Sequence, residues 1–543
     1  MSIYNTARQA GRQATIKTDS LPAPLGGINS NTALARMDPN DCIFSYNMVP
    51  ANNGLDVREG FKEWVTAVAG AGGVRTLISV RSGNAGAGVL NRLYAATILG
   101  LYEVTNTGTA PALAIAFLTQ TGNAGYGAYT HFTTTAGQFV IYWDEINGMY
   151  TLNVTTNVWT KTTLGAGAGQ ISNVDPALLV HGVSKNGTLF MAEKDSSRAW
   201  YLAPGAIFGA ATLFELGNKF IHGGYLVGVY LYTVSGSSGP TSYLVFLSSS
   251  GDVNVWAGYN PADANNWFNV GNFYVGQMPF GRGVANSNQF NGDLLIISVF
   301  GVIAVSDLIA GLDINDEKVQ YTKKISQLIN SYVYQTLTNR GWEIYSSPRK
   351  NLNIINVPAI AGQPNLQFVQ NTSTQGWGLW RDLPVQCGAT YGGDFYFGTA
   401  DNRVCVSSGN VDNVKLDGTG AVFINFSMLS AYTNAGNVNQ KVPSFIRAYF
   451  RAGVAPAYAC KILFDFQTSE VLGPISSSPP LGGAIWDTDL WDAGIWGGVP
   501  DSVNGIQGGS GIGVNMAIAL RGSASSPTTL IGFEPAWTEV EYM

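Results

Sequence analysis

Cysteine, histidine and charge are all scarce in this 543-residue chain. The four cysteines, Cys42, Cys387, Cys405 and Cys460, form no CxxC pair. That argues against a structural zinc site or a disulfide scaffold, and buried free thiols in a reducing compartment are expected. The three histidines, His131, His181 and His222, share no metal-ligand spacing and read as hydrogen-bonded histidines on or beside strands. Charged residues make up 12%, and the formal net charge of −6 is small for the length, which excludes a general nucleic-acid-binding surface. There is no Walker A loop and no nucleophile elbow, and glycine-rich pieces such as GAGAGQ lack the strand–turn–helix setting of a dinucleotide site. The start, MSIYNTARQAGRQATIKTDS, has no apolar core and does not read as a signal peptide. Its Arg8, Arg12 and Lys17, with no acid before Asp19, suit a mildly basic arm or a segment that orders on a partner. The most apolar run, Leu294 to Leu312, is broken by Gly301 and Asp307. A spanning helix needs about 20 apolar residues, so this run reads as a buried β-hairpin turning near Gly301, and no stable membrane insertion is expected.

Glycine (66 residues) and aromatics (12%) are plentiful, which suits many short strands joined by tight turns. Paired apolar strands recur, as in NRLYAATILGLYEV, GQFVIYWDEINGMYTLNV and GTLFMAEKDSSRAWYLA, then TSYLVFLSSSGDVNVWAG, GDLLIISVFGVIAVSDL and GGDFYFGTADNRVCVSS. Each is a strand, a short polar or glycine turn and a second strand. With one strand upstream and often one downstream, a unit holds about four strands. The first five start at residues 91, 137, 187, 241 and 292, a spacing close to that of β-propeller blades. The sixth follows only after an insertion at about 313–345. There KKISQLINSYVYQTLTNR predicts a helix over 323–340, with Ile325, Leu328, Ile329, Tyr332 and Leu337 on one face and the acidic DINDEK before it. Asp313, Asn315 and Glu317 resemble a calcium loop, but the glycine it requires is missing and Lys324 stands at its twelfth place, so an EF-hand is rejected.

The stretch 54–68, containing GLDVREGFKEW, looks like an outer strand without its blade. Pairing it with the last unit would close the ring and remove its exposed edges. The expected fold is therefore mainly β: a six-bladed propeller at 54–409, closed by an N-terminal strand and interrupted by a helix. An extended arm at 1–53 precedes it, and a C-terminal β-sandwich-like domain at 410–543 follows. Within the last lies WDTDLWDAGIWGG, whose Trp486, Trp491 and Trp496 fit neither strand nor helix periodicity and read as loop anchors for packing or a subunit interface.

Catalysis finds little support. A glycosidase needs paired carboxylates about 5–10 Å apart in a cleft, whereas Asp144, Glu145 and Asp252 all fall at hairpin turns, where acids serve local hydrogen bonding. SGDVNVW echoes the Asp-box turn of sialidases once, with Asn254 where that box has glycine. No catalytic, cofactor or metal residues are assigned.

The opening segment PLGGINSNTALARMDPNDCIFSYNMVPANNGLDVREGF resembles the N-terminus of tail proteins of short-tailed bacteriophages. The ordered elements are Pro24, Gly26, Gly27 and Asn29; Met37, Pro39 and Asp41; Asn47 and Pro50; then Val57, Arg58 and Gly60, with Cys42 replacing the usual small residue. The Trp-Asp repeat and YTNAGNVNQKVPSFIRAYF also look like these proteins. The resemblance is to the tail nozzle, or tail tubular protein B, family. It implies a virion structural subunit that forms a ring with itself, a homohexamer, below the tail tubular protein A-like adaptor and the portal. It also implies that the ring anchors fibres or spikes and passes double-stranded DNA without sequence recognition. Six copies would carry a net charge of about −36, which suits sliding rather than gripping. The alternative is a glycan-binding or glycan-cleaving propeller at the tail tip.

Overall fold

In the computed structural model, the described residues are 15–82, 91–236, 239–263, 265–287, 293–311, 321–469 and 501–540. They divide into two compact units, Arg58–Phe423 and the pair of segments Met1–Val57 and Ile424–Met543.

The unit Arg58–Phe423 is a β-propeller, and each of the six hairpins expected from the sequence lies in a blade of its own. Blade 1 comprises Thr76–Val80, Arg92–Ala96, Gly100–Glu103 and Ala112–Ala116. Blade 2 comprises Gly127–Thr134, Gly137–Asp144, Gly148–Asn153 and Val158–Lys161. Blades 3 and 4 have the same four-strand meander, starting at Leu179–Lys185 and Leu226–Gly236. Among the described residues blade 5 comprises Ala285–Ser287, Leu294–Ser298 and Gly301–Ala304. The apolar run from Leu294 thus turns as a hairpin just before Gly301.

The interval read as a helical insertion holds more than a helix. The helix is Ser326–Gln335, preceded by one tighter turn, Lys323–Ile325, and it packs on Gly301–Ala304. Ile325, Ile329 and Val333 are its buried stripe, while Leu328, Tyr332 and Leu337 are only half-buried. The DINDEK segment lies outside the described residues. After the helix comes a further four-stranded sheet, Glu343–Ser347, Leu352–Asn356, Leu366–Asn371 and Trp377–Arg381, here blade 6. The last expected hairpin becomes blade 7, Cys387–Tyr391, Asp394–Gly398 and Val404–Ser407. Innermost strands of consecutive blades touch in cyclic order and blade 7 returns to blade 1, so the ring among the described residues counts seven sheets rather than six.

Burial follows position in the blade. Central strands are covered on both faces by neighbouring blades, so they read as continuous apolar runs. Phe139–Asp144 and Leu294–Ser298 are buried throughout, whereas the outermost Ala112–Ala116 is nearly all exposed. Between blades 1 and 2 the seam is Ile78, Tyr94 and Leu101 against Val140, Tyr142 and Trp159. Between blades 7 and 1 it includes Val65, Leu77, Leu93, Cys387, Tyr396 and Val404.

The ring is closed from the N-terminal side, by Phe61–Val65 alone: this strand is the fourth of blade 7, antiparallel to Val404–Ser407. Its approach is fixed by Arg58 and Gly60. The buried Arg58 guanidinium donates to both oxygens of Asp412, at 2.7 and 2.6 Å, and to the carbonyls of Glu59 and Arg381, at 2.9 and 3.2 Å. Gly60 passes so close to the chain leaving blade 7 that a Cβ would lie 1.9 Å from the Val411 carbonyl oxygen.

Residues 17–57 are not a separate arm, which corrects the expectation for 1–53. Lys17–Thr18 and Leu21–Pro22 pair with the C-terminal strand Thr528–Val540, and so does Gly54–Val57, which in turn pairs with Met48–Ala51. The same sheet contains Gln440–Ala452 and Asp501–Gly508. Asp41–Tyr46 joins a second sheet with Val422–Ser430, Met516–Ala524 and Ala457–Phe464. Met48, Leu55, Phe426, Ile446, Phe450, Ile462, Ile518, Leu530 and Trp537 form the core between these sheets. The sandwich expected at the C-terminus therefore includes the N-terminal segment.

Arg58→Ala should strip a buried carboxylate of its cation. Loss of one partner of such a pair costs about 3–5 kcal/mol. The expected result is a lower unfolding midpoint together with faster amide exchange in Phe61–Val65 and Val404–Ser407. Exchange unchanged in these two strands would show that the clamp does not hold the seam.

Candidate functional site

The segments that enter the innermost strands gather at one end of the propeller. Arg75, Tyr126, Tyr225, Arg282, Arg340 and Gln386 each stand within a few residues before such a strand. The Gly137–Asp144 to Gly148–Asn153 turn of blade 2 brings Glu145 to the same end. Asp144 shapes that turn: its carboxylate accepts from the backbone N–H groups of Gly125, Ile146 and Asn147, at 2.5, 3.1 and 2.7 Å, and from the Asn147 amide at 2.8 Å. Its oxygens are thus committed to local structure, although burial raises its pKa.

Glu145 is the hub. Its Oε1 accepts from Arg282 Nε at 2.7 Å and lies 3.2 Å from a terminal nitrogen of Arg340, with all three side chains close to fully buried. Its carbonyl accepts from Lys194 Nζ at 3.1 Å. Arg282 also donates to the carbonyls of Leu226, at 3.0 Å, and Val227. The carboxylate thereby connects blade 2 with the segments entering blades 5 and 6, while the Glu145 carbonyl reaches blade 3 and Arg282 reaches blade 4. Burial works against its charge, but the two guanidiniums outweigh burial and hold its carboxyl below the ordinary value. Arg340 lies over the ring of Phe280 at 4.2 Å and of Tyr126 at 5.5 Å, and Arg75 sits over the same tyrosine at 5.0 Å.

Beside the hub opens a cavity of about 710 Å³, lined by Glu145, Arg282, Arg340, His222, Tyr225, Ser249, Ser250, Tyr274, Gln277 and Phe280 among others. His222 Nδ1 pairs with Asp252 Oδ1 at 2.7 Å, its backbone N–H donates to Asp252 Oδ2 at 2.8 Å, and its ring packs on Tyr274 at 4.1 Å. A second cavity, of about 480 Å³, lies along the innermost strands of all seven blades, with Tyr129, His131, His181, Tyr230, Glu343 and Thr390 in its wall. His181, lowered to about 3 by burial and then by the charge of Arg282, is neutral and accepts from Val229 N–H at 3.3 Å. His131 is also lowered, chiefly by burial, and accepts from Arg81 N–H at 3.3 Å. Burial pushes Glu343 up to about 8, so it is predominantly protonated at neutral pH.

The three histidines are hydrogen-bonded, as expected, and among the described residues no three His, Cys, Asp or Glu side chains converge as metal ligands. All four cysteines are buried free thiols. Of the three acids weighed for glycosidase chemistry, Asp144 is consumed by its turn, Glu145 by two arginines and Asp252 by His222. Of the residues carrying the phage-tail resemblance, those among the described residues line neither cavity; they hold backbone turns and buried polar contacts. Gly27, at φ 72°, donates to the Pro24 carbonyl at 3.2 Å, and Gly26 donates to Asn40 at 2.8 Å. Asn29 Nδ2 donates to Asp41 Oδ2 at 2.7 Å, both residues buried, beside the parallel pair Gly27–Ile28 and Asp41–Cys42. Met37 is buried, Pro39 exposed and Val57 half-buried at the end of its strand. Trp486, Trp491 and Trp496 lie outside the described residues. The sequence reading missed Arg282, Arg340, Tyr274 and the meeting of His222 with Asp252. Two of them, Arg282 and Arg340, shortly precede an innermost strand, a signal usable only once blade register is known.

No family model and no curated protein sequence matches this chain. Among solved structures it is similar to an extracellular domain assigned to a hybrid two component system of B. thetaiotaomicron, with TM-score 0.37, 9% identity, and coverage of 74% of this chain and 51% of that one. It is also similar to Chaetomium thermophilum Raptor, with TM-score 0.39, 10% identity, and coverage of 64% and 28%. The β-propeller domain of Myceliophteria thermophila Cps50 (Swd1) gives TM-score 0.35, 8% identity, and coverage of 63% and 97%. The chain thus spans about half of the first of these structures and little more than a quarter of the second. Among the described residues no helix is long and apolar enough to cross a membrane.

Two substitutions test the electrostatics of this end of the propeller and of its axis. Glu145 has a folded pKa below its unfolded value of about 4.3, so its contribution is complete above that pH and disappears as pH falls through the folded pKa. Glu145→Gln should lose about 3–5 kcal/mol at pH 7 and should flatten the acid limb of a stability-versus-pH curve. Glu343 has the opposite sign: its folded pKa is raised, so stability declines as pH rises from the unfolded value to about 8. Glu343→Gln should therefore unfold at higher temperature than the wild type at pH 8.5 and show a smaller gap at pH 4; equal midpoints at both pH values would remove the charge argument.

Proposed function

We propose that the chain is a structural subunit of the tail nozzle of a short-tailed bacteriophage. In this reading it assembles with copies of itself, six in number, into a ring below the adaptor and portal. The ring carries double-stranded DNA outward without sequence recognition and anchors fibres or spikes, and the chain resides in the virion.

The observation that carries the reading is the ordered N-terminal motif, Pro24 to Gly60, together with what its residues do. Asn29 and Asp41 join one turn of chain to the next inside the sandwich, while Arg58 and Gly60 guide the closing strand into blade 7. A motif spread over nearly forty residues whose members hold buried polar contacts and a ring-closing strand is hard to explain as surface decoration. The axis of a single propeller supports the ring as well. Its 480 Å³ cavity is of small-ligand size, with tyrosine and histidine in its wall, so in this reading the DNA path lies between copies. The low charge content accords with a conduit that does not grip phosphates.

Cryo-electron microscopy of the purified chain mixed with its adaptor tests the proposal. The expected outcome is a closed ring with an axial pore wide enough for duplex DNA. A monomer or trimer that ignores the adaptor would overturn it.

A further inference from the structure

We infer that the 710 Å³ cavity beside Glu145 is a binding site for an acidic saccharide. The inference is independent of the nozzle reading, because it rests on one propeller and needs no ring.

The first ground is charge. Arg282 and Arg340 face a single carboxylate, Glu145, across the cavity wall, leaving one positive charge in excess. The Asp252 carboxylate is engaged by the His222 ring and backbone N–H, at 2.7 and 2.8 Å. A guanidinium has five N–H donors. Arg340 directs one terminal nitrogen at Glu145 and its Nε is closed off from solvent, so the other terminal nitrogen is the one left to a ligand in the cavity. Its plane is fixed by stacking on Phe280 and Tyr126, so its remaining donors are held in a set orientation. A preoriented, partly desolvated guanidinium fork selects a carboxylate or a phosphate over a neutral group.

The second ground is shape. The cavity falls within the range of small-ligand sites, roughly 300–1,000 Å³, and is much larger than an inorganic anion needs. Tyr274 and Phe280, 40% and 38% exposed, present flat aromatic surface there. Ser249, Ser250 and Gln277 add hydroxyl and amide groups to the lining. An aromatic wall for the C–H face of a pyranose, polar groups for its hydroxyls and an arginine for its acid group are together the requirements of a uronic-acid type of sugar. No bond is made or broken: Glu145 is held ionised and cannot serve as a general acid at neutral pH.

The test is a ligand-observed NMR titration of the full chain at low salt with D-glucuronic acid, its methyl ester and inorganic phosphate. The ester keeps the ring and removes the charge. The acid should bind at least tenfold more tightly than the ester and than phosphate. Arg340→Lys, which keeps the charge but loses the planar fork, should weaken the acid at least tenfold. Tyr274→Ala, at a half-exposed ring, should do the same without lowering the melting temperature, so a misfolded arginine variant would not blunt the test. Absence of binding by the acid would overturn the inference. So would equal binding of acid and ester, or phosphate binding as tightly as the acid with Tyr274→Ala silent.

Discussion

A ring of sheets built from one chain has one place where its ends must join, and the fold depends on how that closure is made. If the fourth strand of blade 7 were absent, Val404–Ser407 would be an open edge and the cluster around Leu77, Tyr396 and Val404 would be exposed. The chain closes it with Phe61–Val65, a strand made more than 300 residues earlier. Loop-closure entropy grows only slowly with length, so so distant a closure is tolerable provided the two ends are held. Arg58 on Asp412 and the glycine contact at Gly60 provide that hold.

The Glu145 hub is the second constraint and acts across blades rather than at the seam. Seam contacts are apolar and non-directional, so they resist separation of neighbouring blades but specify little about one end of the ring. A buried carboxylate shared by two guanidiniums is directional, and removal of the carboxylate leaves both cations without their counter-charge. The same feature gives that end its chemical character. Arg282 is spent on Glu145 and two backbone carbonyls, whereas Arg340 is positioned by stacking with donors remaining, which is why the neighbouring cavity is proposed to accept an anion.

Much of the architecture was legible because hairpins are local. A strand, a tight turn and a second strand identify themselves within twenty residues, and six of the seven blades were found in that way. Blade 6 was not: its strands Leu352–Asn356 and Leu366–Asn371 are separated by the long loop 357–365 rather than a tight turn, and the blade directly follows a helix. The helix itself was found by its apolar stripe but ends at Gln335, where Thr336 bonds back to Tyr332 and accepts from the Trp342 indole.

What the sequence determined by itself is which segments are strands, where they turn, that the last blade lacks a partner, and that the histidines and cysteines are too few and too scattered for a metal or disulfide framework. These follow from side-chain period and turn chemistry, which act over a few residues. The tertiary structure alone decided which distant strand each edge accepts. Gly54–Val57 and Phe61–Val65 are neighbours in sequence and similar in pattern, yet one joins Thr528–Val540 and the other Val404–Ser407. It also decided that Glu145 meets Arg282, 137 residues away. Backbone edges pair with any compatible edge, and charges separated by whole blades meet only after the ring has closed, so neither outcome is written in a local pattern.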